Sequence, residues 1–361
     1  MSDRTQRVAL IGAGRISAVH AGYLRGIRSA RVAAVCDTSP GQAATFAKQR
    51  GIPAAFEDLD DLFAATSPSI VHICTPPRSH GRLAIACMER GANVIVEKPM
   101  ALSVEECDRM SAAARTFGRV IAVGHNRLFD PVVARLRGLV DSGALGAVVT
   151  VEAQQGVNLV EGGTTATDHW SVADPFVPLW NLGPHPLYLV DAFAVPFERM
   201  TVHGRPPAET DGLLREIRIL LEGAHGDAFV SFSMGAQPYL NHLTVYGTKA
   251  TARLNLNTMT MIVDRNRKLP GMINKLAANA FPILDLLRAT VTNGIGVATG
   301  RMKTYPGIGA HLRAIYGALD AGDPLPVDAA AGRRNVAALR EIEQTLTNGD
   351  IPAGDSPSWT S

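Results

Sequence analysis

Over the first 124 residues, five short apolar runs alternate with helix-length segments, a pattern that few folds can satisfy. The runs are Arg7–Gly12, Arg31–Asp37, Ser69–Thr75, Asn93–Glu97 and Val120–Gly124. Each is apolar without alternation, which predicts a strand covered on both faces rather than one with a wet side. Helix patterns fill the gaps at Arg15–Arg28, Ser39–Gly51 and Ser79–Arg90, and again from Ser103. Ser39-Pro40 is a helix start with proline at the first helical position. Ser103-Val104-Glu105-Glu106 is a capping box in which Glu106 can reach back to the Ser103 amide. Parallel strands linked by helices on both faces make an α/β doubly wound sheet.

The pattern changes after Asp130. One helix (about Pro131–Ser142) leads to strand-like runs at Ala147–Gly156, Arg199–Arg205, Leu213–Leu221, Ala228–Ser233, Leu243–Tyr246, Ala252–Asn255 and Thr260–Val263. Short polar and glycine gaps at Glu222–Asp227 and Gly247–Lys249 predict hairpins, hence a mainly antiparallel open sheet. Helices are expected at Trp180–Phe193 and Asp328–Leu346, with the last dozen residues frayed. The expected domains are 1–124 and 125–350.

Composition closes off several alternatives. With 46% hydrophobic and 19% charged residues the chain can bury a core. Its 35 basic and 33 acidic residues are too balanced for a protein that wraps nucleic acid. Cys36, Cys74, Cys87 and Cys107 contain no C-x-x-C pair and read as buried thiols in a reducing compartment. The polar start lacks a signal-peptide core, and no run supplies the roughly 20 apolar residues of a spanning helix, so a cytoplasmic location is expected.

Gly12-Ala13-Gly14-Arg15-Ile16-Ser17 follows the first strand and opens a helix. Gly12 permits the tight turn, and Gly14 lets the backbone approach a pyrophosphate seated on the helix N-terminus. Ser17 stands where the fingerprint has glycine or alanine and is small enough to keep helix and sheet close. Asp37 ends the second strand 20 residues beyond Ser17, the place of a ribose-binding acid. It would repel a 2′-phosphate, and its neighbour is Thr38 rather than arginine, so NAD is favoured over NADP.

Three more motifs stand in line: Cys74-Thr75-Pro76-Pro77 with Ser79-His80, then Glu97-Lys98-Pro99, then Asn181-Leu182-Gly183-Pro184-His185. With the G-A-G start and the stretch Gly124-His125-Asn126-Arg127 through Pro131, they resemble the glucose–fructose oxidoreductase, inositol dehydrogenase and rhizopine-catabolism (Gfo/Idh/MocA) family over almost the whole chain. The resemblance implies a Rossmann domain followed by an α/β domain whose open sheet makes homodimers or homotetramers. It implies NAD(P)-dependent oxidation or reduction of a secondary hydroxyl or ketone on a sugar, cyclitol or nucleotide-sugar. The family's E-K-P lysine and D-x-x-x-H pair carry over as Lys98, Asn181 and His185, with Asn181 departing from the usual acid.

The residues themselves support this reading. Thr75 and Lys98 lie at strand carboxyl ends, where open α/β sheets bind ligands. Removing a hydride from a carbinol requires the hydroxyl proton to leave or the developing alkoxide to be stabilised. Lys98 is expected to stabilise that oxygen, His185 to act as base, and Asn181, which cannot ionise, to orient substrate or imidazole. The expected cofactor contacts are Gly12, Gly14, Arg15, Ile16, Asp37, Thr75, Pro76, His80, Glu97 and Lys98. The expected substrate contacts are His125, Arg127, Asp168, His169 and Trp170. No H-x-x-x-H or C-x-x-C spacing supports a metal. Two alternatives share these residues: a ketoreductase running the step in reverse, and a non-catalytic NAD(H) sensor.

One stretch stays outside this scheme. Between Arg265 and Lys303 stand seven basic residues and one acid, Asp285, with Ile273, Leu276, Ala280, Leu284 and Leu287 at helical spacing and Pro282 suggesting a break. The leading expectation is an amphipathic helix packed on the sheet with solvated basic ends. A second account has it border the substrate pocket and favour phosphate groups. Contact with an anionic membrane surface ranks last and is not expected.

Overall fold

The computed structural model describes residues 5–157, 176–194, 197–204, 214, 216–224, 226–265 and 267–348. The chain separates into two compact units, Met1–Asn126 with Gly307–Ala337, and Arg127–Pro306 with Ala338–Ser361. The first unit opens with β1 (Gln6–Ile11), α1 (Arg15–Leu24), β2 (Ala30–Cys36), α2 (Gln42–Arg50), β3 (Ala54–Phe56) and α3 (Leu59–Thr66). It continues with β4 (Ile70–Ile73), α4 (His80–Glu89), β5 (Asn93–Val96), α5 (Val104–Thr116) and β6 (Ile121–Val123). The second unit holds α6 (Pro131–Asp141), β7 (Val148–Gly156), α7 (Val177–Leu182), α8 (Pro184–Asp191), β8 (Arg199–Gly204) and β9 (Glu216–Gly223). After these come β10 (Gly226–Ser233), β11 (Leu240–Gly247), β12 (Ala250–Asn255), β13 (Thr260–Arg265) and α9 (Gly271–Ala298). Two helices close the chain, α10 (Pro306–Ala321) and α11 (Ala329–Asn348).

The first sheet is wholly parallel, in the order β3-β2-β1-β4-β5-β6. Its order reverses direction between β1 and β4, the switch point at which doubly wound sheets take their ligands. The continuous apolar runs explain the burial: Val8, Leu10, Ile70, Ile73, Val94 and Val96 are all inaccessible. Each such Leu or Ile, cut to alanine, costs about 2–5 kcal/mol.

The sequence pattern did not reveal β3 or α3. Three half-buried residues at a sheet edge are too short for a periodicity, although Asp58 caps α3 by accepting from the Asp60 and Asp61 amides (2.7 and 3.1 Å). Two local expectations need correction. Ser39-Pro40 forms a turn, and α2 starts later, at Gln42 behind a left-handed Gly41 (φ 71°). In the box at α5, Ser103 Oγ accepts from the Glu106 amide as expected, but Glu106 reaches back to the Leu102 amide instead of that of Ser103 (3.3 Å).

The domain limits also differ from expectation. Gly307–Ala337 belongs to the first unit, because Ile308, Leu312, Ile315 and Tyr316 of α10 are buried in the same apolar cluster as Leu10, Leu24 and Val35.

The second sheet runs β13-β12-β11-β7-β10-β9-β8, antiparallel except for the β10–β7 pair. Alternation along its strands buries Val151, Ala153, Val230, Phe232, Leu243 and Val245 on one face. The two expected hairpins are those joining β9 to β10 and β11 to β12. The single helix expected from Trp180 is two, α7 and α8, meeting at Gly183.

The basic stretch holds the expected helix against the sheet with its basic ends exposed, but it differs from expectation in two respects. It is one uninterrupted helix, α9, which Pro282 does not break. Asp285, Ala289 and Asn293, spaced four apart, face the sheet edge: the Asp285 carboxylate accepts from the Val263 amide (3.5 Å), and Asn293 Nδ2 donates to the Thr258 and Met259 carbonyls. Ala289 is the one buried residue of α9. The apolar stripe expected to pack on the sheet therefore points outward. Its periodicity was legible, but which side of the helix meets the sheet depends on these polar contacts.

Candidate active site

The first unit builds its site from strand ends. Gly12 sits at φ +93°, and a Cβ there would come 2.8 Å from the Cys74 carbonyl oxygen, so the turn after β1 presses directly on the end of β4. Only glycine fits both that backbone and that distance. Ser17, fully buried, donates its hydroxyl proton to the Gly12 carbonyl (2.5 Å), which ties α1 to the turn. Serine at this position thus does more than stay small.

Gly14 caps α1 with open space where a side chain would be, no side-chain cap and no acid in the first turn. The first amides of that helix have no partner inside it and carry its positive dipole end. Such a donor set fits a pyrophosphate and accommodates its close approach. Arg15 follows on the exposed side of the same turn, whereas Ile16, an expected cofactor contact, is partly buried against the apolar cluster of the first unit. Asp37, just beyond β2, spans the two loops: Oδ2 accepts from the Ala13 amide (2.8 Å) and Oδ1 from the Ser39 amide (2.9 Å). The carboxylate is thereby held at the edge of the glycine turn, with lone pairs left for hydroxyl donors.

Thr75 follows β4, and its Oγ1 shares a hydrogen bond with Ser79 Oγ (2.7 Å); Pro76 beside it is exposed. His80 was expected among the cofactor contacts. Its ring is instead fully buried, with Nδ1 2.9 Å from the Pro99 carbonyl and Nε2 2.9 Å from the Thr75 carbonyl. Burial lowers its pKa against the upward pull of those carbonyls. His80 clamps the turn after β4 to the E-K-P turn after β5.

Glu97 is likewise turned inward. Its carboxylate lies 3.0 Å from His20 Nε2 and accepts weakly from the Lys98 amide (3.3 Å). His20 Nδ1 lies 2.9 Å from His72 Nδ1, and His72 Nε2 lies 3.0 Å from the Tyr316 hydroxyl. Burial alone would lower the His20 pKa, but the Cys74 sulfur and the Glu97 carboxylate outweigh it and carry it up to about 10. Burial and the adjacent His20 charge hold His72 well below its usual range. Glu97 is pushed up by burial, yet the His20 contact and the Lys98 charge leave it below the ordinary carboxylate value. These directions fix the protons: a charged His20 donates to both Glu97 and His72, and neutral His72 donates to the Tyr316 oxygen.

Lys98 is half-buried at the end of β5. His125, an expected substrate contact, is nearly inaccessible. Burial, followed by the positive charges of His311, Arg334 and Lys98, drops its pKa to about 3, so it is neutral at all working pH values.

In the second unit, Asn181 ends α7 and His185 lies in the first turn of α8, both half-buried. Gly183 between them has helical angles (φ −56°, ψ −36°), so the turn spacing survives the junction. A Cβ on Gly183 would meet the Leu179 carbonyl at 2.4 Å, which explains the glycine. His185 Nδ1 lies 2.7 Å from the Tyr188 hydroxyl, which also accepts from the Arg127 amide (3.2 Å). Arg127 was expected at the substrate. Its guanidinium reaches Asp130 (3.5 Å) and, with the Asn241 carbonyl oxygen turned toward it, Asn241 (3.0 and 3.2 Å).

The structure thus gathers Gly12, Gly14, Asp37, Thr75 and Lys98 at the carboxyl ends of strands β1, β2, β4 and β5. It turns His80, Glu97, His125 and Arg127 toward protein partners. Asp168, His169 and Trp170 lie outside the described residues. Four contributors had no sequence signal strong enough to find them: His20, His72, Tyr316 and Tyr188. Only Tyr188, three residues after His185 on one helix, offered a local spacing. Among the described residues no three His, Cys, Asp or Glu side chains could share a metal, and all four cysteines are free and buried.

Comparison with known proteins bears on the family and the fold. Residues 6–125 match the model for the GFO_IDH_MocA oxidoreductase family, NAD-binding Rossmann fold, and residues 133–253 match the GFO/IDH/MocA C-terminal domain. The D-glucoside 3-dehydrogenase of Escherichia coli K12 is 32% identical over 155 residues, 43% of this chain and 44% of that protein. The scyllo-inositol 2-dehydrogenase (NAD(+)) of Bacillus subtilis is 33% identical over 141 residues, 39% of this chain and 41% of that protein. The chain thus spans less than half the length of these curated relatives. Among solved structures, the WlbA dehydrogenase of Bordetella pertussis, in complex with NADH and UDP-GlcNAcA, superposes with a TM-score of 0.76 at 20% identity, covering 98% of this chain and 99% of that one. At that identity the match speaks to the fold alone.

Proposed function

The chain belongs to the GFO/IDH/MocA oxidoreductase family, and from that footing we propose that it is an NAD-dependent dehydrogenase acting on a secondary hydroxyl of a sugar, cyclitol or nucleotide-sugar. The observation that carries this reading is the row of strand ends in the first sheet: a glycine turn with open helix amides, Asp37 beside it, then Thr75 and Lys98. The α1 amides would hold the pyrophosphate and Asp37 the ribose hydroxyls of the adenosine half, which favours NAD over NADP. Nicotinamide, when bound, supplies a hydride acceptor or donor.

The remaining chemistry falls to side chains of this protein. Lys98, an ammonium at the end of β5, would donate a hydrogen bond to the carbinol oxygen and stabilise its developing negative charge. His185 would accept the hydroxyl proton. For its Nε2 to carry the required lone pair, Nδ1–H must donate to the Tyr188 oxygen, which then accepts from both His185 and the Arg127 amide. Tyr188 would hold the imidazole in the basic tautomer. Asn181 cannot ionise, so it would orient the substrate or the imidazole by hydrogen bonds alone. His80 and Glu97 act as positioning residues, fixing the turns that present Thr75 and Lys98.

The test is appearance of NADH absorbance with NAD⁺ against a panel of sugars, cyclitols and UDP-sugars. Keto-sugars with NADH serve the reverse direction. Turnover that disappears in Lys98→Met and His185→Ala supports the assignment. NAD⁺ binding with no turnover on either panel would leave only a nucleotide-holding protein.

A further inference from the structure

Helix α9 turns its apolar stripe away from its own unit, and we infer that this stripe, with the basic residues around it, docks on an anionic lipid surface. The inward side of the helix is polar or small, through Asp285, Ala289 and Asn293. On the opposite side, a hundred degrees or more around the wheel, run Met272, Ile273, Leu276, Ile283, Leu287 and Val291. Met272 is 69%, Leu276 64% and Leu287 59% exposed. Scattered exposed leucines are ordinary on a protein surface, but a continuous helical stripe of large side chains marks an interaction face.

Two observations select the partner. Charge is the first. The segment from 265 to 303 carries seven basic residues against Asp285, whose carboxylate is turned to the sheet edge. Arg265, Lys275, Arg288 and Arg301 are exposed, and Arg267 lies over the Phe281 ring, 3.6 Å from its centroid. An apolar stripe flanked by cations is the composition of helices that lie in the headgroup layer of anionic membranes. The same 265–303 segment of a second copy would offer these cations only Asp285, whose carboxylate is already turned to the sheet edge.

Area is the second. The 28 residues of α9 make a rod about 42 Å long, and a stripe about 10 Å wide along it offers about 400 Å². A stable protein–protein contact takes about 800 Å² from each partner. The stripe alone falls short of a dimer interface but suffices for a helix immersed to half its thickness. Embedding is parallel to the surface, since among the described residues no helix is long and apolar enough to cross a membrane.

The experiment is co-sedimentation of the full chain with phosphatidylcholine vesicles, with and without phosphatidylglycerol, at low and high salt, alongside light scattering of the free protein. Expected is a partition at least tenfold stronger with phosphatidylglycerol, weakened by salt. Leu276→Asp with Leu287→Asp should abolish it without changing the melting temperature, because both side chains are exposed. Lys275→Glu with Arg288→Glu should weaken it about thirtyfold or more. No sedimentation with phosphatidylglycerol vesicles at low salt overturns the inference. So does a dimer that the leucine variants dissociate without any vesicle binding, which would assign the stripe to a second copy.

Discussion

Replacing Glu97 with glutamine isolates the buried charge chain beneath the E-K-P turn. The substitution keeps the shape but leaves a charged, buried His20 facing a neutral amide across 3.0 Å. Removing one partner of a buried ion pair costs about 3–5 kcal/mol. For a unit of this size each kcal/mol shifts the melting temperature by about 2–4 °C, so a drop of about 10 °C is expected near neutral pH. The pH dependence has a determined sign. His20 is raised from 6.5 to about 10, so its contribution is complete below pH 6.5 and is lost as pH rises through 10. Glu97 is lowered from 4.5, so its contribution holds above pH 4.5 and is lost as pH falls below. The deficit of Glu97→Gln should therefore be widest between these limits and narrow at pH 10.5. Melting followed by circular dichroism at pH 7.5 and 10.5 measures both effects, and a cycle with His20→Gln should show coupling of at least about 1 kcal/mol. A melting temperature within about 2 °C of wild type at pH 7.5, or a deficit unchanged at pH 10.5, would refute the charged pair.

Other outcomes follow from the same contacts. Lys98→Met and His185→Ala should each lower kcat by about a hundredfold or more with NAD⁺ affinity changed less than threefold, read by steady-state kinetics and fluorescence titration. Tyr188→Phe should leave the fold intact while displacing the pH profile of kcat, because it removes the oxygen that fixes the His185 tautomer. Gly12→Ala should destabilise the first unit by about 1–3 kcal/mol in urea unfolding, since the new Cβ meets the Cys74 carbonyl at 2.8 Å on a backbone that L-residues avoid. Asp37→Ser should reduce the ratio of NADP to NAD dissociation constants at least tenfold, measured by titration.

Much of the first unit was legible because its signals are local. Gly12, Gly14 and Asp37 are tied by spacing within one β-α-β segment, and Lys98 by its place at a strand end. The chain from Tyr316 to Glu97 was not legible: His72 lies 52 residues from His20 and 244 from Tyr316, and nothing in either neighbourhood marks the pairing. Glu97 and His80 show a related limit. Their motifs were visible, but whether a side chain at a strand end points up to a ligand or down into the protein depends on partners elsewhere. The same ambiguity affected α9, whose stripe was evident while its direction rested on Asp285 and Asn293. Gly183 was read as interior to one helix, because helical angles at a glycine leave the periodicity intact on both sides of the break.

Gly307–Ala337 joins the first unit after the second has been completed, so the polypeptide enters that unit twice. A fragment ending at Asn126 would lack Tyr316, leaving His72 Nε2 without its acceptor and stripping the cover of Ile308, Leu312 and Ile315 from Leu10 and Leu24. On a ribosome the nucleotide-holding half must wait until the whole Arg127–Pro306 segment of the second unit has been made before its last wall arrives. Dissection by truncation at a single cut should yield aggregation-prone pieces, whereas a short linker bridging Asn126 to Gly307, with the chain stopped at Ala337, offers a route to that half alone.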